Sequence, residues 1–348
     1  MTGNQTKMIT FAASILKTMD FRTPTDITPL NPRLHHSGKL LVMGSCFAEH
    51  IGTRLERMKF RVMINPYGVL YNPLSIAEAL TRLIKRHPFT EEDLREFPDG
   101  GWNTWLHHSR YSHPDKQASL ASINHSMESA SSHLSEAETL IITFGTAWVY
   151  RLKENDHIVG NCHKVPERMF TRQCLTAKDI ANEYSTLLRR LWQLNPKLHI
   201  LFTVSPIRHL KDGLHGNQLS KATLLLAIDE LCTMFPEQCH YFPAYEIVID
   251  ELRDYRFYAD DMAHPSTLAI EYVWEQFVEH CIEAEAQQFM QQWKGIVRDL
   301  EHRPFQPESE QYQQFILRTA SKISALKAKY PYLDFESEIS CCHHLAGK

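Results

Sequence analysis

The sequence predicts an α/β protein: a parallel sheet covered by helices on both faces, three layers in all, with a helical extension at the C-terminus. Three observations carry this. Short apolar runs, Leu40–Met43, Thr139–Phe144 and Leu198–Val204, alternate with stretches of helical spacing, the pattern of strands buried on both faces. The first run stops at Gly44 and a helical pattern starts almost at once, which is a strand–turn–helix unit. Residues 284–348 then repeat helical spacing twice, at Phe289, Trp293, Ile296 and Leu300, and at Tyr312, Phe315, Ile316, Ile323 and Leu326.

Taken in order, residues 1–37 are polar, hold three prolines and form an irregular lead-in. Leu40–Met43 is the first strand and Ala48–Met58 the first helix, with Ile51, Leu55 and Met58 on one face. Phe60–Ile64 is the second strand, closed by Asn65-Pro66-Tyr67-Gly68. Asn72-Pro73 supplies a cap and a first-turn proline for a helix over Leu74–Lys85. Residues 88–115 lack periodicity and read as a long insertion over the sheet. A helix-compatible stretch, 118–135, precedes the third strand, Thr139–Phe144. Trp148–Leu152 and His157–Asn161, joined by Glu154-Asn155-Asp156, form a hairpin excursion. Ile180–Leu194 is a helix, Leu198–Val204 the fourth strand, Gln218–Phe235 a helix and Tyr241–Phe242 a short fifth strand. The loop 254–264 leads into the helix Leu268–Cys281. The body thus spans 38–283. The apolar faces of 284–348 require burial, on that body or on a second subunit in a homo-oligomer.

Composition sets limits on function. A net charge of −4 and a pI near 6.6 argue against nucleic acid or anionic membranes as partners. Met8–Leu16 is mildly apolar but too short to span a bilayer, and a signal-peptide pattern is not evident, so a cytoplasmic protein is expected. None of the eight Cys forms a Cys-x-x-Cys pair, and reduced thiols are expected. Neither a cofactor nor a metal is expected. Cys162 and His163 are adjacent in sequence without a second ligand pair, and Cys341-Cys342-His343-His344 reads as a frayed tail.

The chemistry concentrates at two places. Ser45 and Cys46 follow the first strand and the Gly turn, at the carboxyl end of the sheet and against free helix N–H groups, where α/β proteins place nucleophiles. A lone Cys more often only packs. At 215 residues' remove, Asp261-Met262-Ala263-His264-Pro265-Ser266 places a carboxylate three residues before a His. Such an Asp can hold one imidazole nitrogen and leave the other for a nucleophile. The same pattern also fits a capped helix start. Ser205, Arg208 and His209 follow the fourth strand at the same sheet edge and line a pocket there or solvate the loop. Asn161 and His163 suit its rim.

On Gly44-Ser45-Cys46-Phe47-Ala48, together with the segments at 65–68, 143–148, 161–164, Val204-Ser205-Pro206, 241–246 and 253–258, the chain resembles the GSCFA family of the SGNH (GDSL-type) hydrolase superfamily over roughly Lys39 to Cys281. The resemblance implies a flavodoxin-like α/β/α fold and acyl chemistry. Laid on the superfamily pattern, Ser45 falls between the Gly and the nucleophile and Cys46 on the nucleophile itself. His264 is then the base and Asp261 its orienter. The amides of Cys46 and Gly68 fit two oxyanion positions. The third donor, an Asn in the superfamily, is missing from Gly145-Thr146-Ala147-Trp148, so Thr146, Asn72 or Asn161 stands in. The implied function is an acyl hydrolase, esterase or thioesterase, acting on a small-molecule or carbohydrate ester. The alternatives are an acyltransferase to a sugar or small alcohol, and a non-catalytic binding module on the same fold.

Overall fold

The computed structural model describes residues 22–98, 100–306 and 308–345. Five strands form the central sheet: β1 (Lys39–Gly44), β2 (Arg61–Ile64), β3 (Thr139–Phe144), β4 (His199–Val204) and β5 (Cys239–Tyr241). All pair in parallel, in the spatial order β2-β1-β3-β4-β5. That is the doubly wound, flavodoxin-like order. The helices between them are α1 (Cys46–Arg57), α2 (Pro73–Lys85), α3 (Lys116–Glu136), α4 (Ala177–Leu194) and α5 (Gly213–Met234). After β5 come α6 (Thr267–Cys281), α7 (Ala284–Glu301), α8 (Glu310–Lys329) and α9 (Glu336–Leu345).

Alternate strand residues point to opposite faces, and the two resulting cores are separate. Leu41, Met43, Leu140, Ile142, Ile200 and Phe202 pack beneath α2, α3, α4 and α5. Leu40, Val42, Ile141 and Leu201 pack on the other face, with Phe47 and Ile51 of α1 and Val273 and Phe277 of α6. The extension belongs to this second core: Phe289, Trp293, Ile316, Ile323 and Phe335 are buried in it, and Trp293 Nε1 donates to the Arg57 carbonyl at 2.8 Å. Phe289, Trp293 and Ile296 of α7 and Tyr312, Ile316, Ile323 and Leu326 of α8 are therefore covered by their own chain. Cys342 is buried against the same core, so the predicted frayed tail is a helix whose apolar side is tied down.

Three further elements escaped the sequence. Phe170–Cys174 pairs antiparallel with Trp148–Leu152, which turns the predicted hairpin into a three-stranded sheet. Its sequence, Phe-Thr-Arg-Gln-Cys, is too polar to announce a strand. Within 88–115 a small hairpin forms from Arg95–Phe97 and Gly101–Asn103. Residues 25–34 run along α6, where Leu30 and Leu34 N–H groups donate to the His280 and Cys281 carbonyls. Met8–Leu16 lies outside the described residues. Among the described residues, no helix is long and apolar enough to cross a membrane.

Candidate active site

The strand order reverses between β1 and β3, since the chain leaves β1 toward β2 and later builds outward from β3. Crevices at the carboxyl ends of strands flanking such a point are where open α/β sheets bind ligands. A cavity of about 770 Å³ opens here, and Ser45, Cys46, Thr146, Ser205 and His264 all line it.

Gly44 makes the turn. Its φ is +137°, and a Cβ there would meet the Thr143 carbonyl oxygen at 2.2 Å, so only glycine fits. Its N–H donates to Asn65 Oδ1 at 2.9 Å, and the Ser45 N–H donates to the Thr143 carbonyl at 3.2 Å. These bonds fix the turn between its two neighbouring strands. Ser45 is the residue preceding α1 and is 1% exposed, with its hydroxyl buried and unpartnered. Cys46 opens α1, so its own N–H has no intrahelical acceptor. The thiol is partly exposed, and Sγ lies 3.4 Å from the Tyr71 hydroxyl. Burial, then the bond to Cys46, pushes the Tyr71 phenol above its usual range, so it stays protonated.

His264 Nδ1 is 2.5 Å from Asp261 Oδ2. The other carboxylate oxygen accepts the backbone N–H groups of Ala263 (3.0 Å) and His264 (2.9 Å). These N–H groups, then the imidazole, hold the Asp261 carboxyl down to about 2. The helix-cap reading of this Asp does not apply: Ser266 caps α6, its hydroxyl accepting the Ala269 N–H. The loop is tied to the sheet edge because the Arg208 N–H donates to the Ala263 carbonyl at 3.0 Å.

The remaining candidates divide by what already engages them. Gly68 does not line the cavity. Its N–H donates to the Asn65 carbonyl at 2.7 Å, and with φ +79° and His108 Cβ 2.1 Å from where a Cβ would sit, it shapes the turn. Asn72 lines the cavity but caps α2, Oδ1 accepting the Ser75 N–H and Nδ2 donating to Ser75 Oγ, both at 2.9 Å. Thr146 Oγ1 accepts the Trp148 N–H at 3.1 Å and lies 3.1 Å from Ser220 Oγ. Asn161 uses Oδ1 to accept the His163 N–H at 2.9 Å. His163 is buried, with Nε2 3.0 Å from the Thr104 carbonyl and its ring stacked on Phe97. His209 is pushed down to about 4, first by burial and then by Lys221, and is therefore neutral near pH 7.

Lys221 is the residue that sequence reasoning missed. Fully buried on α5, it donates from Nζ to the Gly145 carbonyl (2.6 Å) and the Ser205 carbonyl (2.7 Å), joining the ends of β3 and β4 beneath the cavity. Beside it, Ser220 Oγ accepts the Ala147 N–H at 2.8 Å, and Asn217 Oδ1 accepts the His209 N–H at 3.0 Å. A signal existed: Lys221 falls in phase with Leu224 and Ile228, so a cation interrupts an apolar helix stripe. Tyr71 left no such signal. Among the described residues, no group of three or more His, Cys, Asp or Glu is placed to hold a metal.

Residues 39–277 match the family model described as GSCFA family, and residues 293–345 match that of the GSCFA domain protein, C-terminal domain. No curated protein matches the chain.

Proposed function

We propose, from the premise that this chain belongs to the GSCFA family, that the cavity at the end of β1 carries out acyl transfer to water through Cys46, as an esterase or thioesterase of SGNH type. One observation carries the reading: a thiol at the first position of a helix lines the same cavity as an imidazole whose Nδ1 is held by a carboxylate. With Nδ1 on Asp261, Nε2 of His264 is the nitrogen left to take the thiol proton. The thiolate attacks the acyl carbon, the C–S bond forms and the alcohol or thiol departs with the proton from His264. Water, deprotonated by the same imidazole, then releases the acid. Cys46 is favoured over Ser45 because the serine hydroxyl is buried while the thiol reaches the cavity. For the oxyanion, the donors are the Cys46 N–H, unengaged within its helix, and the side-chain amide nitrogen of Asn161, whose Oδ1 accepts the His163 N–H.

A panel of p-nitrophenyl esters and acyl thioesters tests this. Cys46→Ala is expected to abolish turnover and Ser45→Ala to leave a measurable rate, with melting curves run on both. Loss confined to Ser45→Ala would make the enzyme a serine hydrolase. Absence of turnover on the whole panel, with Cys46 unreactive to thiol probes, would favour a binding module.

A second reading, transfer to a sugar or small alcohol, has its own support. Cys46 also borders a groove of about 1410 Å³ between α1, α6 and α7, which gives room for an acceptor next to the residue. Partition of the acyl group toward added alcohol, at rates above hydrolysis, would favour transfer.

A further inference from the structure

We propose that the cavity selects substrates carrying an anionic group, a carboxylate or phosphate, which Arg208 and Lys164 hold beside Cys46. The proposal deepens the acyl-transfer reading and rests on it for the bond that reacts, though not for the charge preference itself.

The charge distribution points there. The chain carries a net −4, yet four cationic side chains, Lys164, Arg172, Arg208 and Lys211, line the cavity against one carboxylate, Asp212. That carboxylate is 2% exposed and faces Arg172 in an ion pair. Arg172 is further fixed over the Trp148 ring, 4.1 Å from its centroid. Lys211 is taken up by Glu167 at 2.8 Å and the Tyr150 hydroxyl at 2.9 Å. Two cations are left without a carboxylate partner among the described residues, Lys164 and Arg208. Arg208 is already oriented, with its guanidinium 4.0 Å from the Tyr258 ring centroid and its backbone bonded to the loop that carries His264. A planar guanidinium fixed in this way presents a fork that matches carboxylate or phosphate oxygens.

The floor adds to the same field. The first turn of α1 points free N–H groups at the cavity, a site of positive potential. The acidic groups nearby are paired: Asp261 on His264, Glu167 on Lys211, Asp212 on Arg172 and, in the first turn of α1, Glu49 on Arg110 at 3.3 Å. A concave site lined by one sign of charge concentrates ligands of the other sign.

The test compares two probes of nearly equal size that form the same bond, a thiolate displacing iodide. Anionic iodoacetate and neutral iodoacetamide are reacted with the full-length protein, and modification at each Cys is followed by peptide mass spectrometry. Exposed Cys341 is the internal reference. The iodoacetate-to-iodoacetamide rate ratio at Cys46 is expected to exceed that at Cys341 by about tenfold, as for electrostatic focusing in a cleft. It should fall to within about twofold of it in roughly 1 M salt, where the screening length is about 3 Å. Arg208→Gln with Lys164→Gln should remove the preference, and Arg208→Lys should retain it. Acetate and inorganic phosphate, as competitors, show which oxyanion is held more tightly. Equal ratios at Cys46 and Cys341 in the native protein would overturn the proposal. A preserved ratio in a protein without ester or thioester turnover would instead overturn the hydrolase reading and leave the anion site standing.

Discussion

Lys221→Met makes the buried cation beneath the site measurable. Burial pushes the Lys221 ammonium down to about 7 from an ordinary 10.5, while its bonds to the Gly145 and Ser205 carbonyls favour the charged form. A neutral amine keeps two N–H donors, so both carbonyls remain satisfied after the proton leaves. The sign follows from proton counting. Between about pH 7 and 10.5 the unfolded chain holds a proton on this side chain that the folded chain lacks. Stability therefore rises with pH across that window, by about 1.4 kcal/mol per unit at most. Below the folded pKa both states are protonated and the desolvation cost is fully present. Above 10.5 both are neutral and the cost has vanished. From about pH 7.5 to 9.5 the native protein should gain about 2.5 kcal/mol relative to Lys221→Met. Other titrations cancel in that difference. Denaturant unfolding followed by tryptophan fluorescence at the two pH values reads it directly. A native-minus-variant difference constant within about 0.5 kcal/mol, against a slope predicted by linkage, would show that Lys221 stays an ammonium throughout and refute the reasoning.

Two other outcomes follow from the same geometry. His264→Ala should lower turnover by roughly 10²–10⁴-fold, the usual worth of a general base, and Asp261→Asn by less, because the carboxylate only orients the imidazole while the ring itself moves the proton. Asp261 is held at about 2, so its carboxylate is ionised throughout the working range and should not shape the acid limb of a pH–rate profile; an acid limb that disappears in Asp261→Asn would contradict this. Trp293→Ala should cost about 3–5 kcal/mol, as for other buried Trp truncations, since the ring is buried, packs on Phe335 just before α9 and donates to the Arg57 carbonyl at the end of α1. Denaturant midpoints check it, and a loss under about 1 kcal/mol would show that the extension does not share the body's core.

The strands of the sheet, the Gly44 turn and the Asp261–His264 spacing were legible from the sequence because each is a local pattern. Buried parallel strands must be apolar runs, a φ of +137° beside a carbonyl demands glycine, and an Asp three residues before a His reaches its ring within one loop. The family resemblance over Lys39 to Cys281 likewise rested on contiguous motifs, and the family match spans 39–277. Tertiary structure decided what depends on distant partners. Gly68 carried the right type and position for an oxyanion amide, yet its N–H belongs to the Asn65 carbonyl. Asn72 is engaged by a helix start, and His163 by a carbonyl 59 residues away. Tyr71 reaches Cys46 only because the β2–α2 loop folds back over the turn. Lys221 is buried only because two strand ends meet above it. A hydrogen-bonding group has few bonds to make, and which neighbour takes them is set by the packing of the whole chain, so sequence identifies the groups while the fold assigns them.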